Sequence, residues 1–160
     1  MNSTIVRRPA TTFVGMARRF PPAEIPQIPA LWGRFGPKMA TVPGRTEPAV
    51  CYGLCVADPK GERGAPALEY TAAVAVRTPP TVPDGMVAIS VPATTYAVFT
   101  HDGPIHEIGK TWDAIHQGGL AEAKLAQAGG PEFERYDERW NPKTGLGPVD
   151  IYIPVVDDAK

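Results

Sequence analysis

Several protein classes are excluded by what this sequence has little of. Cysteine occurs only twice in 160 residues, as Cys51 and Cys55. Both fall in one strand-like run, AVCYGLCVAD, where four residues of extended chain separate them by ~13 Å, too far for a disulfide. Two thiols with no histidine near them in sequence also make a poor zinc site. They read as small buried apolar residues. Histidine is nearly as scarce, with three. His106 and His116 are separated by ~1000° of turn along one helix and point to different sides of it. The string HEIGK, which begins at His106, lacks the second histidine of a zinc-protease motif. No metal site is therefore expected. Neither Ser3 nor Ser90 sits in a nucleophile elbow, no glycine loop cradles a phosphate, and no cofactor is implied.

Excess basic charge is also absent. The formal net charge is -1, whereas a nucleic-acid binder needs a basic face to neutralise phosphates. Arg7-Arg8 and Arg18-Arg19 stand alone. No apolar run is long enough to span a bilayer. The N-terminus lacks the charged-then-apolar layout of a signal peptide, so a cytoplasmic location is expected, with no membrane partner. Hydrophobic content of 43% and charged content of 21% suit one globular domain with a sizeable core.

Proline, by contrast, is abundant, with 19 residues spread along the chain. It punctuates short elements rather than marking a disordered tract. Between those punctuation marks the chain repeats itself. PATTF at residues 9–13 returns as PATTY at residues 92–96. Ile25, Ile28, Trp32 and Phe35 have the same spacing as Ile105, Ile108, Trp112 and Ile115, and each set makes one apolar helix stripe. Leu68-Glu69-Tyr70 corresponds in position to Asp150-Ile151-Tyr152. All three features recur at an offset of about eighty residues, the mark of a duplicated unit.

Each unit reads strand, helix, strand, strand, with repeats at approximately 1–83 and 84–160 in a single domain. In the first, strands are expected at Thr4–Arg8 and Thr12–Arg19. A helix should start near Pro26 or Pro29 and stop before Gly36-Pro37, with strands following at Ala49–Ala57 and Glu69–Arg77. DPKGERGAP is a hairpin loop, and Pro37–Glu47 a solvated loop. In the second, one strand covers Val87–Thr100. Pro104 opens a helix that Gly118-Gly119 stops, LAEAKLAQA is a short helical piece, and strands lie near Phe133–Trp140 and Val149–Val156. The fold class is α+β, with antiparallel strands in two sheets or one curved sheet, helices on one face and a ligand cleft between the halves.

Strand parity then sorts the side chains. In PEFERYDERW, residues Glu134, Tyr136 and Trp140 share one face and Phe133 the other. In VDIYIPVV, Ile151, Ile153 and Val155 suit the helix-covered face, which puts Tyr152 on the opposite one with Glu134 if the hairpin keeps parity. Tyr52 and Tyr70 occupy comparable positions in the first half. A glutamate and several aromatics are thus expected on the concave side of the sheet. A carboxylate among rings can compensate a bulky organic cation stripped of water, and ring faces add cation–π attraction of ~0.5–2 kcal/mol each.

YAVFTHDGP, a helix carrying a Trp, PEFERYDERW and VDIYIPV together resemble the gyrase-inhibitor-like family. This is the small-molecule effector-binding domain at the C-terminus of some AraC-type and MerR-type regulators. The likeness covers nearly the whole chain, most strongly residues 86–156. It implies two strand-helix-strand-strand units about a pseudo-dyad, enclosing a pocket for hydrophobic, often cationic, drugs. An acidic residue on the penultimate strand is the ligand's charge partner there, and Glu134 is the matching position. Tyr152 and Tyr136 match lining positions, and Trp112 lies at a commonly aromatic helix position. Trp32 is explained as core by its stripe alone.

The sequence departs from the regulators in having no helix-turn-helix before residue 1, so it resembles a stand-alone member. The leading expectation is a non-enzymatic protein that senses or sequesters a bulky hydrophobic, cationic or polyaromatic compound through Glu134, Trp112, Tyr136, Tyr152, Tyr52 and Tyr70. One alternative is a hydrolase of strained electrophilic xenobiotics such as cyclopropane-bearing compounds, with Glu134 orienting or deprotonating a water. The other is a protein-interaction module such as a gyrase modulator, for which the acidic patch near Asp157-Asp158 is too weak a signal. Both a monomer and a homodimer are compatible with these features.

Overall fold

In a computed structural model, which describes residues 1–58 and 67–156, the strands are β1 (Thr4–Arg8), β2 (Thr11–Phe20), β3 (Cys51–Asp58), β4 (Ala67–Val76), β5 (Val87–Val91), β6 (Thr94–His101), β7 (Glu132–Tyr136) and β8 (Val149–Pro154). They form one eight-stranded sheet in the order β1-β6-β8-β7-β3-β4-β2-β5. Every neighbouring pair is antiparallel. The order reverses onto itself when the two halves of the chain are exchanged, so the pseudo-twofold passes between β3 and β7. The first strand of each half pairs with the second strand of the other half, β1 with β6 and β5 with β2. The expected strand over Val87–Thr100 is two strands, because Pro92 offers no amide to a ladder. The DPKGERGAP loop and Asp157-Asp158 lie outside the described residues, apart from the strand end at Asp58.

Helix α1 (Ile28–Met39) follows a 3-10 turn over Pro22–Gln27. Leu31 and Phe35 are buried, and Ile28, Trp32 and Met39 pack beside them. Ile25 belongs to the 3-10 turn and is 41% exposed, so the stripe begins later than its spacing suggests. The helix also runs through Gly36-Pro37. Pro37 sits in the last turns, where the loss of one amide is tolerated and Met39 still gains contact with the sheet.

In the second half a 3-10 turn, Ile105–Glu107, leads into α2 (Ile108–Ala114). Gly118-Gly119 does not stop it. The chain passes through a π turn at Ile115–Gly119 into a last helical turn, Leu120–Glu122. Only that turn of LAEAKLAQA is helical, and Gln127 instead bridges to Val155 just past the end of β8. His101 is buried beside the start of α2, with Nδ1 2.6 Å from Thr111 Oγ1 and Nε2 3.0 Å from the Pro104 carbonyl. A carbonyl only accepts, so Nε2 carries a proton. No helix of the described residues is long and apolar enough to cross a membrane.

The sheet is strongly curled. Phe13 on β2 and Phe133 on β7 have ring centroids 6.3 Å apart, although β4 and β3 lie between them. A flat sheet would separate them by roughly 14 Å. The face carrying Phe13, Tyr52, Leu54, Tyr96, Phe133 and Tyr152 is therefore concave and encloses its own apolar core. The convex face carries the helices. α1 covers Val14, Phe20, Tyr70 and Val74, while α2 and its extension cover Phe99, Ile151 and Ile153.

Candidate functional site

β7 decides where the glutamate goes. Phe133 faces the concave core and Glu134 the opposite side, as alternation requires. In the β7–β8 ladder Phe133 lies opposite Tyr152 and Glu134 opposite Ile151. Residues directly opposite share a face, so Glu134 stands with Ile151 on the helix-covered, convex side. Tyr152 does not share its face. In the β3–β7 ladder Tyr52 lies opposite Arg135, and Gly53 opposite Glu134, at the centre of the junction between the halves. Tyr52 therefore joins Tyr152 on the concave side. The expectation that Tyr52, Tyr70, Tyr136 and Tyr152 meet Glu134 on the concave face is corrected by register, since one step of parity moves a residue through the sheet. Tyr70 and Tyr152, which look like repeat partners in sequence, are on opposite faces for the same reason.

Four of the anticipated residues do converge. Glu134 is only 6% exposed. Its Oε1 accepts from the Tyr136 hydroxyl at 2.7 Å and from the Tyr70 hydroxyl at 2.9 Å. Its Oε2 accepts from Trp112 Nε1 on α2 at 2.9 Å. Trp32, assigned by its stripe to the core, completes the arrangement by donating from Nε1 to the Tyr70 hydroxyl at 2.9 Å. Its ring packs edge-on against Tyr136, with centroids 5.6 Å apart. The signal that could have found it was the repeat, which makes Trp32 the partner of Trp112. Tyr136 in turn packs edge-on against Trp140 at 4.9 Å, and Trp112 stacks on His116.

The electrostatics follow from burial. Loss of water pushes the Glu134 carboxyl above its ordinary value, while the hydrogen bonds from Tyr136, Trp112 and Tyr70 pull it back in part. Burial and the nearby carboxylate push the Tyr70 and Tyr136 phenols well above theirs, so both remain donors. The Cys51 thiol, on the same face, is pushed up to about 11 mainly by burial. No lysine or arginine of the described residues forms an ion pair with Glu134. A carboxylate is thus held by one indole and two phenols without a cation, while the second indole holds one of the phenols.

On the concave side the tyrosines serve a different cluster. Tyr52 Oη donates to Glu47 at 2.6 Å and accepts from Arg8 at 3.0 Å. Tyr152 stacks on Phe133 at 4.5 Å.

An antiparallel sheet with internal pseudo-symmetry, helices on its convex face and an uncompensated carboxylate beneath two helix-borne tryptophans describes a ligand-binding domain. The chain belongs to the GyrI-like small molecule binding domain family, whose model it matches over residues 1–156. It is 40% identical over 156 residues to the transcriptional regulator BrlR of Pseudomonas aeruginosa, covering 97% of this chain and 56% of that protein. The chain thus spans little more than half the length of the curated relative. Among solved structures it is similar to SAV2435 bound to tetraphenylphosphonium, with TM-score 0.74, 17% identity, and coverage of 98% of this chain and 94% of that one. It is also similar to the EcmrR C-terminal domain, with TM-score 0.65, 18% identity and 98% coverage of both chains. EcmrR in its complex with DNA matches at TM-score 0.62 and 19% identity over 96% of this chain and 57% of that one. These likenesses establish the fold.

Proposed function

We propose that this domain binds bulky hydrophobic cations, polyaromatic ones included, between α1 and α2, and so senses or sequesters such compounds. The observation that carries the reading is Glu134, a buried carboxylate whose partners are neutral N–H and O–H donors and not a cationic side chain. The Trp112 indole now occupies its Oε2, and the Trp32 indole holds Tyr70 beside it. Displacing Trp112 would free Oε2 toward an incoming charge while leaving Tyr70 and Tyr136 to hold Oε1. An organic cation has little hydration to lose, gains a full charge partner in a low-dielectric site, and meets ring faces on several sides. The fold-level similarity to a protein bound to tetraphenylphosphonium supports this ligand class.

The test is calorimetric titration of wild type and Glu134→Gln with tetraphenylphosphonium and with a neutral polyaromatic of similar size, the ligand then being weighed by mass spectrometry. The expected result is a saturable cation isotherm that weakens roughly tenfold or more in the variant, with ligand recovered intact. Equal affinity in both proteins would remove Glu134 from the site. Consumption of a strained electrophile, titrated alongside them, by wild type alone would move the assignment to the hydrolase reading, in which the same carboxylate activates water.

A further inference from the structure

The concave side of the sheet carries a feature that cation binding does not use. Arg8, at the end of β1, holds its guanidinium 5.3 Å from the centroids of Tyr52 and Phe133 and 5.4 Å from that of Tyr152. One of its N–H groups donates to Tyr52 Oη. A guanidinium has five donors, and among the described residues neither Arg8 nor Arg77 forms an ion pair. Beside Arg8 an open groove of about 870 Å³ runs along the end of the sheet. Arg8, Arg77 and Thr46 line it, together with Glu47. The one carboxylate in this lining is already engaged, by Arg135 at 3.1 Å and by Tyr52. The groove therefore presents two arginines outside any ion pair of the described residues, and the Thr46 hydroxyl.

We propose that this groove is a second binding site, opposite in charge preference to the first, for an organic anion bearing a carboxylate or a phosphate. Arg8 grips the acidic group. Its planar fork suits either oxyanion, and the three rings beneath it fix its orientation in advance. Arg77 supplies a second charge, and the Thr46 hydroxyl hydrogen-bonds a remaining oxygen. The volume falls in the range of drug-sized ligands and is far larger than a single inorganic ion needs. The two sites lie on opposite faces of one strand, because Phe133 under Arg8 and Glu134 are consecutive residues.

The test is arginine side-chain 15N NMR of the protein titrated with adenosine 5′-monophosphate, citrate and, as the uncharged control, adenosine. The expected result is a saturable shift of the Arg8 Nε–Hε resonance with the monophosphate, with citrate or with both, and none with adenosine. Which anion acts distinguishes a phosphate ligand from a carboxylate one. Arg77→Gln should weaken binding a few-fold and Arg8→Gln by roughly tenfold or more. Glu134→Gln should leave it unchanged, which separates this site from the cation site whatever happens there. If Arg8→Gln does not fold, the wild-type Arg8 resonance and the Arg77→Gln titration decide. Shifts no larger than those from sodium chloride at equal ionic strength would overturn the proposal. So would adenosine binding as tightly as its monophosphate.

Discussion

Gly53 and Glu134 face each other at the centre of the junction between the two halves, and the missing side chain of the first makes room for the carboxylate of the second. A Cβ at position 53 would fall on Tyr70 Oη and lie 2.8 Å from Glu134 Oε1. The pseudo-twofold thus relates a glycine to a glutamate. Two glutamates would bury like charges against each other, and two glycines would leave no charge at all.

Gly53→Ala is accordingly expected to lower stability by about 1–3 kcal/mol, the usual cost of overpacking, despite alanine's smaller entropy loss in a strand. Urea denaturation measures it. Cation affinity should fall with it, because Tyr70 can no longer reach Oε1. A variant as stable as wild type, with full affinity, would show that the Tyr70–Glu134 contact is dispensable.

Stability should depend on pH through Glu134 with an unusual sign. Burial raises this carboxyl above its ordinary value of 4.5 in the folded protein. Between the unfolded value and the raised folded one, the native state holds more protons than the unfolded chain, so stability falls as pH rises through that window. Asp137, drawn down chiefly by its hydrogen bond from Arg139, works the other way. The quantity to follow is therefore the difference in unfolding free energy between wild type and Glu134→Gln. It should move against wild type as pH rises above about 4.5. A flat or opposite difference would mean that the carboxyl is not raised. Cation affinity should rise with pH over the same range, since the ligand requires the ionised form.

The two indoles make separable contributions. Trp112→Phe keeps the ring but removes the donor to Oε2, with a cost of about 1 kcal/mol and a further upward shift in the pH at which cation affinity develops. Trp32→Phe removes a donor only from Tyr70 Oη and should move that pH much less. Affinity-versus-pH curves for the two variants test the distinction, and equal displacement would contradict it.

The two faces can be told apart by tyrosine. Tyr70→Phe removes a hydrogen bond from Glu134 and should alter cation affinity several-fold. Tyr52→Phe removes the hydroxyl shared by Arg8 and Glu47 on the concave side. It should cost about 1–3 kcal/mol of stability while leaving cation affinity within about twofold once the protein is folded. The reverse pattern would put the cation on the concave face.

Much of this protein is settled by local sequence. Alternation along residues 133–136 separates Phe133 from Glu134 and groups Glu134 with Tyr136, because successive strand side chains must point apart whatever the fold. The repeated stripes announce two helices bearing Trp32 and Trp112, since helical spacing is also a local property. What remained for the tertiary structure was parity between strands that are distant in the chain. Tyr152 is reached only after the connection over residues 137–148, and Tyr52 belongs to the other half. Whether either shares a face with Glu134 depends on register, which is decided by pairing across the whole sheet and reverses with a shift of one residue. Curling of the sheet then made one face an aromatic core with Arg8 over its rings, at the groove. It left the other to the helices, where Trp32 and Trp112 close over a carboxylate placed opposite the one residue, Gly53, that leaves it room.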